Sequence, residues 1–109
     1  MSWEVDYLPE AKKDIRNLDR SQQALVIKAI RKVKEKPIPQ DEGGYGKPLG
    51  HKGGRNLTTL LKIKLKKEGI RIVYKLIRTD TKMLIIVIGV REDEEVYEIA
   101  KRRMLLHHL

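Results

Sequence analysis

The chain contains no cysteine, and this excludes several kinds of site at once. Its 109 residues can form neither a disulfide nor a thiolate metal site, and no cysteine is available as a nucleophile. The histidines do not replace it, because His51 lies in a glycine-rich segment and His107 and His108 lie at the C-terminal end. No zinc spacing and no His–Asp–Ser arrangement emerges. We therefore expect a protein without a metal or another cofactor.

Long apolar segments are also missing. The first residues lack the positively charged region and following apolar run of a secretory signal, and no segment approaches the roughly 20 apolar residues that span a membrane. We therefore expect a cytoplasmic protein with no membrane partner. The length fits a single domain, residues 1–109.

Acidic residues are scarce relative to basic ones. The chain has 24 Lys and Arg against 15 Asp and Glu, a formal net charge of +9, and a pI near 9.9. The basic residues cluster, since residues 62–78 include seven of them and one acidic residue. This balance favours nucleic acid, the ribosome or an acidic protein as a partner.

Part of this charge lies in residues 60–74, which predict a β-hairpin with one apolar and one cationic face. Apolar and basic residues alternate with the period of two that is typical of a half-buried strand. If Lys67 and Glu68 form the turn, the apolar residues of both strands share a face, and Lys64 lies directly across from Arg71. Like charges in that arrangement destabilise a sheet, so the pair suggests an anionic ligand, with a polyanion as the natural candidate.

Helices and further strands are predicted on either side of the hairpin. Alternation over residues 2–8 predicts a first strand, and apolar spacing predicts a helix from Pro9 to about residue 18. Asp19 and Gln22 resemble a capping box that begins a second helix, which Pro37 ends. Residues 83–90 form an apolar run that suits a central strand, and a final helix begins near residue 94.

Residues 37–56 fit no regular element. They hold six of the eight glycines and three of the four prolines. Gly44 to Lys47 resembles a phosphate loop, but no Ser or Thr follows the lysine and no strand precedes the glycines. A loop of this length is either mobile, a partner-binding segment or the place of a short element that the pattern hides.

The predicted fold class is therefore α+β, with the order β-α-α-β-β-β-α. A mostly antiparallel four-stranded sheet carries the helical hairpin on one face, and a C-terminal helix follows.

Cleavage of RNA is one reaction that a cationic face of this kind could support. Attack by a 2′-hydroxyl on the adjacent phosphate needs a proton acceptor, cations for the developing charge and a donor for the leaving 5′-oxygen. Lys62, Lys64, Arg71, Arg91 and Tyr97 could fill these roles. Either lysine, crowded by other cations, could be the base, and the arginines suit phosphate clamping. Tyr97 could stack on a base or position a proton.

Each of these residues also has a purely structural interpretation. Alternating lysines more often form a solvated face, Tyr97 could be a core residue, and Arg91 could simply pair with the acidic run that follows it.

Several segments closely resemble the RelE branch of the RelE/ParE toxin superfamily. They are Leu-Lys-Ile-Lys-Leu at residues 61–65, Gly-Ile-Arg-Ile-Val-Tyr at 69–74, Val-Ile-Gly-Val-Arg at 87–91 and Glu-Val-Tyr at 95–97. The element order agrees along nearly the whole chain, whereas these motifs cover about its second half. Gly-x-Arg-x-Val-Tyr alone marks the superfamily, and its combination with the other segments is more discriminating.

The resemblance implies a type II toxin: a metal-independent mRNA interferase that enters the ribosomal A site, cuts mRNA there and is held inactive by a cognate antitoxin. It also implies roles for individual residues. Lys62 and Lys64 match the strand lysines that serve as base and phosphate contact, and Arg71 matches the arginine that stabilises the transition state. Arg91 matches the arginine that assists the leaving group, and Tyr97 matches the tyrosine that stacks on the substrate base.

Two features depart from the branch. The glycine-rich segment is longer than expected, and residues 92–95 are all acidic where relatives often carry base. These acids either weaken contact with ribosomal RNA or cap the final helix, and we favour capping.

Two other functions remain open. A ParE-like inhibitor of DNA gyrase would share the fold without cutting RNA, and a basic nucleic-acid-binding module would bind RNA and leave it intact. An antitoxin segment could either cover the cationic face or displace the final helix.

Overall fold

The fold is a five-stranded sheet with helices packed against it. The computed structural model describes residues 3–52, 54–90 and 92–109. The elements, in chain order, are β1 (Glu4–Tyr7), α1 (Pro9–Arg16), α2 (Arg20–Val33), β2 (Lys47–Lys52), β3 (Arg55–Leu65), β4 (Ile70–Ile77), β5 (Lys82–Gly89) and α3 (Asp93–Leu106), with short 3-10 helices at Gln40–Glu42 and Arg78–Asp80.

The strands lie in the order β1-β5-β4-β3-β2. The α+β class and the mostly antiparallel sheet are confirmed, because only the pairing of β1 with β5 is parallel among these strands. The prediction of four strands is wrong, since β2 adds a fifth and the order becomes β-α-α-β-β-β-β-α.

The additional strand lies inside the segment that was predicted to be irregular. Residues 37–56 contain a 3-10 helix, β2 and the start of β3, so the alternative of a short hidden element is confirmed. Pro48 and Gly50 concealed it, because they interrupt the alternation that identifies a strand. The register of β2 against β3 shifts between these two residues, and Gly50 has a positive φ of 64°. Proline is tolerated here because β2 is at the edge of the sheet.

The central hairpin has the predicted register. Leu65 pairs with Ile70, Ile63 with Ile72 and Leu61 with Tyr74, and Lys64 lies opposite Arg71. Gly69, with a φ of 70°, takes the left-handed conformation that glycine allows at the end of the turn. The two faces of the hairpin therefore differ in charge as the sequence pattern predicts.

Helices contact both faces of this hairpin. On the apolar face, Tyr74 is fully buried and its hydroxyl donates a 2.7 Å hydrogen bond to the Pro37 carbonyl oxygen in the segment after α2. On the cationic face, Tyr97 of α3 reaches Lys62 of β3. The segment after α2 therefore contacts the hairpin at Tyr74 and α3 contacts it at Lys62, while α3 also contributes Val96 and Ala100 to the core.

Local sequence signals account for the start of α2 and the burial of β5, whereas α2 ends at Val33, before the predicted stop at Pro37. Asp19 accepts a hydrogen bond from the backbone of Gln22, and the Gln22 side chain accepts one from the Asp19 backbone, which confirms the capping box. The predicted apolar strand is β5, an internal strand in which residues 85–88 are all buried. Among the described residues, no helix combines the length and apolar character needed to cross a membrane.

Gly46 allows the segment after α2 to lie directly on the hairpin. A Cβ placed on this residue would overlap the Tyr74 hydroxyl and a methyl group of Leu61, and would lie 2.8 Å from the Pro37 carbonyl oxygen. The backbone of residue 46 is held by a 3.0 Å hydrogen bond from its N–H to the Ile38 carbonyl oxygen. Close packing therefore requires glycine at this position.

We predict that Gly46→Ala lowers the free energy of unfolding by about 1–3 kcal/mol, the usual cost of overpacking. Urea denaturation measures this. Because the Tyr74 hydroxyl is one of the overlapping groups, Gly46→Ala combined with Tyr74→Phe should cost less than the sum of the two single changes. Additive costs would show that the predicted overlap is not the cause.

Candidate active site

The structure brings four of the five predicted site residues together. Lys62 and Lys64 belong to β3 and Arg71 to β4. They share a face because residues two apart in a strand point the same way and Lys64 is the cross-strand partner of Arg71. Tyr97 approaches this face from α3. Arg91, the fifth predicted residue, lies outside the described residues, so its predicted role is unchanged.

Lys62 and Tyr97 form the buried end of the cluster. The Lys62 Nζ atom donates a 2.8 Å hydrogen bond to the Tyr97 hydroxyl. It lies 5.5 Å from the centre of the ring, so it approaches the hydroxyl edge of the tyrosine rather than its face. Lys62 is 8% exposed and Tyr97 is 3% exposed. In this arrangement Tyr97 can help to position a proton, whereas stacking on a base requires α3 to move.

Lys64 and Arg71 share one carboxylate, that of Asp93. The Arg71 Nε atom donates a hydrogen bond to Asp93 Oδ1, and the Lys64 Nζ atom lies 3.7 Å from Asp93 Oδ2. Arg71 also donates a 3.1 Å hydrogen bond from Nη1 to the Gly69 carbonyl oxygen. The anion expected above the Lys64–Arg71 pair is therefore supplied, in this structure, by the first residue of α3.

The surrounding cations change the ionisation of Asp93. Burial by itself raises the pKa of its carboxyl, but the hydrogen bond and charge of Arg71, with the charges of Lys64 and Lys62, outweigh this effect. The net result is a pKa below the usual value for aspartate. Asp93 is therefore held as the carboxylate that the two cations require.

The favoured interpretation of the acidic run as helix caps is incomplete. Glu92 is the N-cap residue of α3, yet its side chain makes no capping hydrogen bond. Glu94 instead pairs with Arg55 of β3 at 2.8 Å, and Glu98, one turn later, pairs with the same guanidinium at 2.6 Å. Acidic groups at the start of α3 thus bind this helix to the cationic face, in addition to matching the helix dipole.

A second group of contacts holds the C-terminal half of α3 against α1 and β5. Arg103 binds Asp14 of α1 through two hydrogen bonds of 2.7 and 3.1 Å and donates a third, of 2.9 Å, to the Ile86 carbonyl oxygen. Asp14 also accepts the backbone N–H of Ile88 at 2.9 Å. Asp14 and Arg103 therefore form hydrogen bonds with backbone groups of β5 that lie beyond the end of β1 and have no partner there among the described strands. The same contacts hold α3 in place.

The cluster has the groups that binding and cleavage of a phosphodiester require. Two cations at a fixed separation can contact phosphate oxygens, and an amine with a phenol at 2.8 Å can move a proton. Within the described ranges, no three His, Asp or Glu side chains are grouped as metal ligands.

Asp93 and Arg55 are the functional candidates that sequence reasoning missed. The signal for Asp93 was the predicted pair of like charges, which an anion would stabilise, together with an acidic run directly after the last strand. Arg55 lay in the segment interpreted as a loop, so its position on β3 was not visible. The four-residue spacing of Glu94 and Glu98 is the pattern that could have indicated a shared basic partner.

Comparison with known proteins gives one consistent result. No protein-family model matches the chain. A curated Escherichia coli relative, described as RelE-like toxin protein, is 29% identical over 105 residues, which is 95% of this chain and 99% of the relative.

Solved structures extend this similarity to the fold. An E. coli RelE variant with two arginines replaced by alanine, in the free state, has a TM-score of 0.75 and 28% identity, covering 95% of this chain and 99% of its own. The same variant in complex with a peptide of the antitoxin RelB has a TM-score of 0.68 and 28% identity, covering 92% of this chain and 95% of its own.

We predict that Asp93→Asn destabilises the protein by about 1 kcal/mol at pH 7, a value reduced for partial exposure of the pair. Because the pKa of Asp93 is lower in the folded protein than in the unfolded chain, its carboxylate stabilises the fold at pH values above the unfolded-state pKa. This stabilisation is lost as the pH falls through the folded-state pKa. The difference between wild type and variant should therefore shrink below about pH 4. Thermal unfolding at several pH values measures this.

The exposed Asp41 provides the control. Asp41→Asn makes the same chemical change away from the cluster, and its effect on stability should be small at every pH. A stability difference for Asp93→Asn that stays constant from pH 7 to pH 3 would contradict the assigned ion pairs.

Proposed function

The chain belongs to the RelE/ParE-type toxin superfamily, and from this premise we propose that it cuts mRNA in the A site of the ribosome as a type II toxin. The observation that carries the proposal is the cross-strand pair Lys64 and Arg71, bridged by a carboxylate beside the Lys62–Tyr97 hydrogen bond. This places two anion-binding groups next to a pair able to transfer a proton. A basic protein of net charge +9 is also suited to an RNA-rich partner.

In the proposed reaction the 2′-oxygen of one nucleotide attacks the neighbouring phosphorus. Its proton passes to an amine, the bond from phosphorus to the 5′-oxygen breaks, and that oxygen takes up a proton. The products are a 2′,3′-cyclic phosphate and a 5′-hydroxyl. The negative charge that develops lies on phosphate oxygens or the leaving oxygen, so fixed cations and a proton donor are the main requirements besides the amine that accepts the first proton.

The contacts suggest a division of roles. Lys64 and Arg71 already bind one anion together, so they are assigned to the phosphate and to its charge in the transition state. Lys62 contacts the Tyr97 hydroxyl at 2.8 Å, so this lysine is assigned to proton transfer from the 2′-hydroxyl. Arg91 is proposed to assist the leaving 5′-oxygen, as the resemblance implies.

Asp93 must leave this position for substrate to bind. Its carboxylate accepts from the same two cations that a phosphate would use, and the two anions repel each other. Asp93 is the first residue of α3, so its displacement involves the start of that helix. Such movement would also expose Tyr97, which would then be able to stack on a base.

A cognate antitoxin is the proposed protein partner. RelE is solved in complex with antitoxin in related structures, and the cluster here is covered by a helix that ion pairs hold at both ends. An acidic antitoxin segment could cover the cationic face, and an amphipathic one could replace α3. Either would keep mRNA from Lys64 and Arg71.

We predict that induction of the wild-type protein produces new mRNA 5′ ends inside translated codons and that Arg71→Ala abolishes them. Loss of the guanidinium removes a phosphate contact that no other group replaces, and the rate should fall at least about 100-fold. Sequencing of mRNA 5′ ends measures the effect. Purified protein should cut mRNA on ribosomes and leave naked RNA almost intact.

Arg20→Ala is the matched control, because Arg20 is an exposed arginine at the start of α2. It should cut as the wild type does. Toxicity that persists in Arg71→Ala without new 5′ ends would instead favour a ParE-like action on gyrase. Equal cutting of naked and ribosome-bound RNA would contradict the ribosome dependence.

A further inference from the structure

A second cationic surface adjoins the active-site cluster, at the edge of β3 that faces α2. It is a groove of about 570 Å³ between α2, the end of β3 and the segment after α2. Six lysines line it: Lys28, Lys32, Lys47, Lys62, Lys64 and Lys66. None of the described residues that line this groove is acidic. We refer to it as the lysine groove.

The groove exists because β2 is shorter than β3. The pairing of β2 begins at Lys47, opposite Lys62, so β3 continues beyond its neighbour through Lys64 and Leu65. Helix α2 and the segment that holds Tyr45 lie beside this free edge. Lys62 and Lys64 line the groove and also belong to the active-site cluster, so the two sites share these two lysines.

Tyr45 gives the groove an aromatic surface. Tyr45 is 45% exposed, and the Lys32 ammonium lies 5.4 Å from the centre of its ring, a cation–π distance. Backbone hydrogen bonds hold the residue, including a 2.9 Å bond from the Tyr45 N–H to the Lys36 carbonyl oxygen. An exposed aromatic residue in a groove lined by lysines is the combination that binds single-stranded nucleic acid, through base stacking and phosphate contacts.

We propose that the lysine groove binds the single-stranded RNA that leads into the active site, with lysines on the phosphates and a base stacked on Tyr45. The RNA class rests on the proposed function, and the sharing of Lys62 and Lys64 places the groove beside the scissile phosphate. An acidic peptide is the competing ligand. It is less well matched, because the exposed tyrosine offers a base-stacking surface and lysines along a free strand edge discourage the addition of another strand.

The test uses a fluorescent 12-nucleotide RNA that is 2′-O-methylated throughout and therefore cannot be cut. Fluorescence anisotropy measures its affinity for the full-length protein across a range of salt concentrations. Lys28→Gln with Lys32→Gln removes two groove charges, and Lys12→Gln with Lys13→Gln removes two exposed charges from α1 as the matched control. Circular dichroism establishes that each variant is folded.

The groove variant should bind the RNA at least about tenfold more weakly, and the slope of log K against log salt should decrease by about 1.4, the value for two phosphate contacts. The control should change affinity by less than about twofold. Equal losses in the two variants, or no loss in either, would overturn the proposal.

Tyr45 supplies an independent arm. Tyr45→Leu should weaken RNA binding by about tenfold through loss of stacking, and Tyr45→Phe should retain the wild-type affinity. Poly-glutamate of 12 residues is the probe for the competing ligand. If the groove variants lose poly-glutamate binding and keep RNA binding, the groove is a protein-binding surface and the proposal fails.

Failure of the groove proposal can be distinguished from failure of the proposed function. If the groove variants bind RNA normally while Arg71→Ala abolishes cleavage on ribosomes, the groove assignment is wrong and the function stands. If the groove variants lose RNA affinity while the wild type cuts no mRNA, the groove stands and the nuclease assignment is wrong.

Discussion

The arrangement of this site depends on one electrostatic constraint, the placement of Lys64 directly across from Arg71. Two like charges at directly opposed positions destabilise a sheet, and a bound anion offsets that cost. Asp93 supplies the anion, and the shared ion pairs fix the start of α3 against β3 and β4. The position of Tyr97, one turn further along α3, follows from this contact. The constraint that creates an anion site therefore also determines which helix covers it.

Stability and function compete for the same groups. The ion pairs from Arg55 to Glu94 and Glu98, with those of Asp93, hold α3 over the cationic face and limit access to it. Under the proposed function, the RNA phosphate must replace Asp93 at Lys64 and Arg71. Part of the free energy of RNA binding is therefore used to move the first turn of α3. An antitoxin that retains or replaces this cover would act on the same equilibrium. The lysine groove offers a place where RNA can bind before that exchange occurs.

The sequence predicted the parts of the fold that depend on periodicity and local signals. The alternation in residues 60–74 determined the hairpin register, and Asp19 with Gln22 determined the start of α2. It did not reveal β2, because Pro48 and Gly50 interrupt the pattern and edge strands tolerate such residues. The partners of Asp93 and Arg55 were also hidden, since ion pairs between elements distant in sequence depend on how α3 lies on the sheet. Ion pairs between residues that are far apart in the sequence produce no periodic pattern from which they could be predicted.

The most direct measurement follows Asp93 and Arg71 while RNA binds. NMR of protein with labelled side chains reports the Asp93 carboxylate ¹³C signal and the Arg71 ¹⁵Nε signal during titration with a 2′-O-methylated dinucleotide. If phosphate replaces the carboxylate, the Asp93 and Arg71 signals should both shift. Their shifts should reach a plateau at the same RNA concentration as the shifts of the backbone amides that report binding. The account would be contradicted if the backbone amide shifts of β3 and β4 reached a plateau, which shows complete binding, while the Asp93 and Arg71 side-chain signals stayed unchanged.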